Sequence, residues 1–169
     1  ALAGPSCLHT FRLPQPVFSL AAAQAPAALR GELHEGVEDE GKGMVAFAGL
    51  QDGSVAVVDL SARGGEVGAG VLRTLKVGWS GIEAVAYDEQ TGWVAVGTRD
   101  GTVALFDLAG PPSNDPTTPL SPWLSFARGA ASITSLAFSP HASLATAAPA
   151  GTPTLLVGTS DGRPFRASL

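Results

Sequence analysis

Three segments of this chain align without a gap, and each carries the same Asp-Gly step: Ala46 to Leu60 (AFAGLQDGSVAVVDL), Val94 to Leu108 (VAVGTRDGTVALFDL) and Leu155 to Leu169 (LLVGTSDGRPFRASL). A repeat limits the fold more than any other sequence feature, because every unit must find the same kind of neighbour. In each segment an apolar run reaches a glycine, four residues follow that end in Asp-Gly, and a second strand-like run begins. Asp-Gly between two β-type runs marks a hairpin, since glycine accepts a positive φ and aspartate caps the turn. Hairpin turns are therefore predicted at Asp52-Gly53, Asp100-Gly101 and Asp161-Gly162.

Two further runs precede each hairpin. The nearer is PVFSLAA from Pro16, GIEAVAY from Gly81 and SITSLAF from Ser132; the farther is LHTFRL from Leu8, LRTLKV from Leu72 and WLSFAR from Trp123. The offsets between the two runs are 8, 9 and 9 residues. One unit of the chain is thus four short strands, in the order outer, inner, then hairpin, over approximately residues 8–60, 72–108 and 123–169 of one domain, 1–169. Plentiful glycine (21) and proline (13) suit many short strands better than long helices. Glycines 49, 97 and 158 recur at one repeat position and so report close strand packing rather than a phosphate loop.

These runs and turns resemble the WD-repeat family. The resemblance implies an all-β fold, a β-propeller of four-stranded antiparallel blades with about three blades present. The repeats are divergent. The closing Trp-Asp of the family becomes Val58-Asp59 and Phe106-Asp107, with Ala167-Ser168 in the last unit, and the Gly-His before the inner strand is missing. The buried Asp-His-Ser/Thr-Trp network of the family is therefore not expected in its usual form, leaving packing and turns to hold the blades. The strand phase favours the C-terminal part of a ring of ~6–7 blades; the competing arrangement is two copies that lend each other an outer strand. The expected neighbours are accordingly missing blades of the same protein or a second copy.

All the long insertions, at 23–43, 61–70, 109–122 and 139–153, fall on the face opposite the Asp-Gly turns. Their Ala/Gly/Pro/Ser-rich composition predicts solvated loops. The acidic run Glu32, His34, Glu35, Glu38, Asp39 and Glu40 matches no metal-loop spacing and reads as a solvated loop able to dock on a basic partner. His9, His34 and His141 fall at unrelated repeat positions, and neither a catalytic triad nor a nucleotide-binding motif is present. No catalytic, cofactor or metal residues are assigned.

A formal charge of -5 argues against a general attraction to nucleic acid, and no apolar run reaches the ~18 residues of a membrane span. The single cysteine, Cys7, fits a reducing compartment, so a cytoplasmic or nuclear setting is expected. What remains is a non-enzymatic scaffold that binds protein. Trp79, in an outer-to-inner loop, and Arg99 and Arg163, beside the second and third turns, are the candidate contacts, because Trp and Arg dominate interface hot spots. Trp93 and Trp123 begin strands and are assigned to packing. The ending LLVGTSDGRPFRASL also resembles the proteasomal ATPase-associated factors, which implies a chaperone of the proteasome's regulatory base. The alternatives are a permanent subunit of a nuclear or ribosome-biogenesis complex, or a peptide-recognition module.

Overall fold

The computed structural model describes residues 10–26, 29, 33, 43–60, 70–109, 119–127, 129–139 and 153–169. Their regular structure is β-strand, gathered in three antiparallel sheets. Sheet 1 holds β1 (Val17–Gln24), β2 (Met44–Leu50), β3 (Ser54–Asp59) and β4 (Val71–Lys76), side by side in chain order. Sheet 2 repeats this with β5 (Ile82–Asp88), β6 (Trp93–Thr98), β7 (Thr102–Asp107) and β8 (Leu124–Ala127). Sheet 3 holds β9 (Ile133–Phe138), β10 (Thr154–Thr159) and β11 (Phe165–Ser168), three strands rather than the four expected of a blade.

The sheets are out of step with the sequence units by one strand. β4 pairs with β3, the hairpin before it, and β8 pairs with β7. Sheets 1 and 2 therefore each take their outer strand from the next unit of the chain. The first outer run, Leu8 to Leu13, is described only from residue 10 and shows a single bridge residue, Arg12, in place of a strand.

The three Asp-Gly turns share one construction. Gly53, Gly101 and Gly162 have φ of 81°, 86° and 74°. Their N–H groups donate to Leu50, Thr98 and Thr159 carbonyls at 3.3, 3.2 and 3.1 Å. Glycine is thus the last residue of a three-residue loop, in the left-handed region that such a loop requires. The aspartate side chain closes the turn by accepting the N–H two residues on: Ser54 at 3.0 Å, Thr102 at 3.3 Å and Arg163 at 3.2 Å.

Alternation along the strands gives each sheet two apolar faces, as a stack of sheets demands. Val45, Phe47, Val55 and Val57 of sheet 1 pack against Val94, Val96, Ala104 and Phe106 of sheet 2. Phe47 stacks on Tyr87 with ring centres 5.1 Å apart. The opposite face of sheet 2, with Ala95, Val103 and Leu105, packs against Ile133, Leu155 and Val157 of sheet 3.

The repeated glycine is the socket of this stacking. A Cβ on Gly49 would lie 2.5 Å from Ile82 Cγ2, and one on Gly97 would lie 2.7 Å from Ile133 Cβ. Ile82 and Ile133, both fully buried, open the inner strand of the following sheet, so each blade presses a β-branched side chain into the glycine of the one before. A parallel bridge from Leu75 of β4 to Leu120 ties the segment before β8 to the edge of sheet 1.

Several residues of the expected solvated loops depart from that expectation: Ala23, Ala25, Pro26, Leu29 and Pro153 are buried. Leu29 is fully buried in the cluster between sheets 1 and 2, and Leu120 exchanges backbone hydrogen bonds with Thr74 and Lys76. Ala23 and Gln24, assigned to the first insertion, extend β1. Residues 27–28, 30–32, 34–42, 61–69, 110–118 and 140–152 of the insertions lie outside the described residues, and with them the acidic run, His34 and His141; so do Cys7 and His9.

Candidate protein-binding face

The turns and the outer-to-inner loops meet on one side of the stack. The loop entering sheet 2 lies on the first turn: a Cβ on Gly53 would meet the Gly78 carbonyl oxygen at 2.6 Å. The loop entering sheet 3 lies on the second turn in the same way, 2.6 Å from the Gly129 oxygen. Ser132 ties the junction by donating from its hydroxyl to the Arg99 carbonyl at 2.8 Å. This face is short-looped and braced by hydrogen bonds, so side chains on it are held in place.

Trp79 projects from the first of these loops and is 89% exposed. The Lys76 ammonium sits over its ring, 4.6 Å from the centre, within the range of cation–π attraction. The same ammonium donates to the Asp52 carbonyl at 2.7 Å, with the Asp52 carboxylate 3.9 Å away. Nearby, Arg99 lies over Phe18 at 5.1 Å and its Nε donates to Glu83 at 2.7 Å. Phe18 is 43% exposed. Two open aromatic rings, each with a cation anchored by a neighbouring acceptor, therefore straddle the junction of sheets 1 and 2.

Of the three residues singled out in the sequence, Trp79 and Arg99 fall on this face at that junction. Arg163 is exposed at the third turn, one sheet further along, and stands outside the cluster. Phe18, Lys76 and Glu83 were not anticipated. The signal for Phe18 was present: it holds the inner-strand position occupied by Glu83 and Thr134 in the other units, which marks an outward-facing site. Trp93 and Trp123 pack on each other with centres 5.1 Å apart, although Trp123 stays half exposed. Among the described residues no group of three His, Cys, Asp or Glu side chains gathers.

The turn aspartates are all held below the ordinary carboxylate range. For Asp100 the hydroxyl of Thr98 is the chief cause, outweighing partial burial, with Thr102 adding to it. At Asp52 burial pushes upward, but the bonds from Ser54 and the Lys76 charge prevail. Asp161 is lowered by Thr159 and by the Arg163 N–H. A depressed folded pKa contributes stability above the unfolded value of about 4, and that stability is lost as pH falls through the folded value. The urea midpoint is accordingly expected to drop between pH 6 and pH 2.5. Asp100→Asn, whose amide cannot titrate, is expected to show a smaller drop; an equal drop would remove Asp100 from the acid-sensitive set.

No protein-family model and no curated protein sequence matches the chain. Solved structures do. Sqt1 from Chaetomium thermophilum matches with a TM-score of 0.53 and 24% identity, over 74% of this chain and 28% of that one. The same protein bound to the N-terminus of the ribosomal protein L10 matches with a TM-score of 0.52 and 23% identity, over 73% and 28%. The computationally designed Ika8 protein matches with a TM-score of 0.50 and 20% identity, over 74% and 30%. The chain spans less than a third of each of these proteins. Its fold is that of a partial β-propeller, three consecutive blades.

Proposed function

We propose that this chain is a non-catalytic scaffold whose turn face binds a segment of a protein partner. The observation that carries the reading is Trp79, a large ring left 89% exposed on a hydrogen-bonded loop, with Phe18 and Arg99 across the blade junction. A rigid aromatic–cation surface is the composition of an interface hot spot, and a preordered face lowers the entropy cost of docking. A propeller fold names no partner. The likeness to Sqt1 makes an L10 N-terminal peptide a direct first probe. The ending LLVGTSDGRPFRASL supports a second probe, an ATPase subunit of the proteasome's regulatory base, reached by transient, nucleotide-dependent association. Salt-stable co-purification with a nuclear or ribosome-biogenesis complex would instead mark a permanent subunit.

Affinity capture by the wild-type chain and by Trp79→Ala, followed by titration of the captured partner, tests the face. The variant is expected to keep its far-UV β signal and to bind about 30-fold more weakly, as loss of a hot spot worth about 2 kcal/mol implies. Unchanged affinity would move the site elsewhere.

A further inference from the structure

The two cations of the aromatic junction are held differently. The Lys76 ammonium is occupied by the Asp52 carbonyl, 2.7 Å away, and by the face of the Trp79 ring. Arg99 is tied through Nε alone, which donates to Glu83 Oε1 at 2.7 Å. Among the described residues its two Nη groups take no partner, and its side chain is 56% exposed.

The fold builds a seat for this guanidinium. Along β5 the register passes from Ile82–Thr98 to Ala84–Gly97, so Glu83 is a bulge residue left out of the ladder. Along β1 it passes from Val17–Leu50 to Ser19–Gly49 and leaves out Phe18 in the same way. A bulge re-aims the side chain that it frees. Two bulges on neighbouring inner strands thus aim a ring and a carboxylate at one arginine. The Phe18 ring centre lies 5.1 Å from the Arg99 Cζ, and Glu83 fixes the Nε. The backbone is fixed as well, because the Arg99 N–H donates to the Gly81 carbonyl at 2.9 Å. A Cβ on Gly81 would stand 3.3 Å from the Phe18 ring, so glycine there lets the ring rest close to the loop. The first and third turns carry Gln51 and Ser160 where the second carries Arg99. The seat therefore belongs to the junction of sheets 1 and 2 alone, and both of these sheets are four-stranded.

We propose that Arg99 is a preset fork for a carboxylate on an extended partner segment, and that an apolar side chain two residues away on that segment covers Trp79. This rests on the reading of the turn face as a binding surface. A planar guanidinium engaged through Nε still offers its Nη edge, two parallel N–H donors that match the oxygens of a carboxylate. The unmet demand on this face is for an acceptor. Asp52 and Asp100 already accept bonds within their turns and Glu83 accepts from Arg99, whereas the Nη edge donates to nothing among the described residues. Charge selects the kind of anion. Three carboxylates (Asp52, Glu83, Asp100) against two cations (Lys76, Arg99) leave the junction mildly negative, which admits a singly charged carboxylate more readily than a phosphate of about two charges. The spacing follows from the chain. Trp79 stands two residues before Gly81, the support of the Phe18–Arg99 pair, and so at most about 7 Å from it. Side chains two apart on an extended peptide share a face at about that interval.

Titration of the 169-residue chain with acetylated, amidated peptides tests this, read from the amide NMR shifts of Ser80, Gly81, Arg99 and Asp100. The probes are Phe-Ser-Asp-Ser and its counterparts with Asn, Lys or phosphoserine in place of Asp. Each is taken to about 10 mM, where even a few weak contacts register. The Asp peptide is expected to bind about 10-fold tighter than the Asn peptide, as a charge-assisted pair implies. Arg99→Lys keeps the charge but loses the fork, and is expected to cut that preference below about 3-fold. Trp79→Ala is expected to weaken the Asp and Asn peptides alike and leave their ratio unchanged. Equal affinity for Asp and Asn, tighter binding of the Lys or phosphoserine peptide, or a preference untouched by Arg99→Lys would each overturn the carboxylate fork, while the shifts themselves would still uphold the binding face. An absence of shifts with all four peptides would overturn both.

Discussion

Gly101→Val is expected to destabilise the chain by about 2–5 kcal/mol, the sum of a backbone cost and a steric one. Gly101 has φ of 86°, a conformation that a β-branched residue rarely adopts. Its Cβ would also lie 2.6 Å from the Gly129 oxygen and 2.7 Å from the Ala131 oxygen. Both contacts are backbone of the loop that enters sheet 3, so relief requires moving that sheet from its seat on sheet 2. The matched variant Gly162→Val separates the two costs. Its φ of 74° is similar, but nothing stands within 4 Å of the new Cβ. It is expected to cost about 1–2 kcal/mol, the backbone part alone. Urea unfolding followed by circular dichroism measures both. Equal losses would mean that the loop contact contributes nothing to the junction. Against a total stability of order 5–15 kcal/mol, the first loss alone can depopulate the folded state.

Phe106→Ala is expected to cost about 3–5 kcal/mol, the range for truncating a large buried ring. Phe106 is nearly inaccessible and sits between Val94, Val96 and Leu108 in the cluster that joins sheets 1 and 2. It stands where the WD-repeat family places the tryptophan of its closing dipeptide. Its benzyl group has no polar atom, so the blade relies here on packing alone. Val58→Ala, at the same repeat position in sheet 1, removes far less side chain. It is expected to cost a fraction of the Phe106 loss, and comparable losses would show that Val58 is packed as tightly as the ring. Both read out as a shift in denaturant midpoint with an unchanged slope.

Much of this architecture was legible before any coordinates, because the repeat makes the sequence its own alignment. The three Asp-Gly steps located the hairpins, and the matched upstream runs located the three inner strands and two of the outer ones, Leu8 to Leu13 showing only a bridge residue. The repeated glycines announced a close approach. What they could not announce was the identity of the approaching group. Ile82 and Ile133 reach Gly49 and Gly97 from another sheet, and contacts between sheets leave no mark on the period of either. The grouping of strands into sheets was hidden for a related reason. Units such as 72–108 follow the covalent order, whereas hydrogen bonding assigns β4 to the unit before it. On the turn face, Trp79 was visible from residue type and Phe18 was not. An aromatic residue in an inner strand reads as core until its polar equivalents, Glu83 and Thr134, are taken as evidence that the position points outward.

The one-strand stagger between chain and sheet gives the molecule the character of a splice rather than a string of beads. Excising residues 72–122, one sequence unit with the insertion that follows it, would make β8 the next strand after the first hairpin. There it can take the place of β4 at the edge of sheet 1, with Ile133 next in line for Gly49. Every surviving sheet keeps its strand count, and the cut leaves no half-built blade. Unequal recombination within such a gene can therefore lengthen or shorten the disc by whole turns of its repeat, with the scar always falling inside a sheet that heals across it.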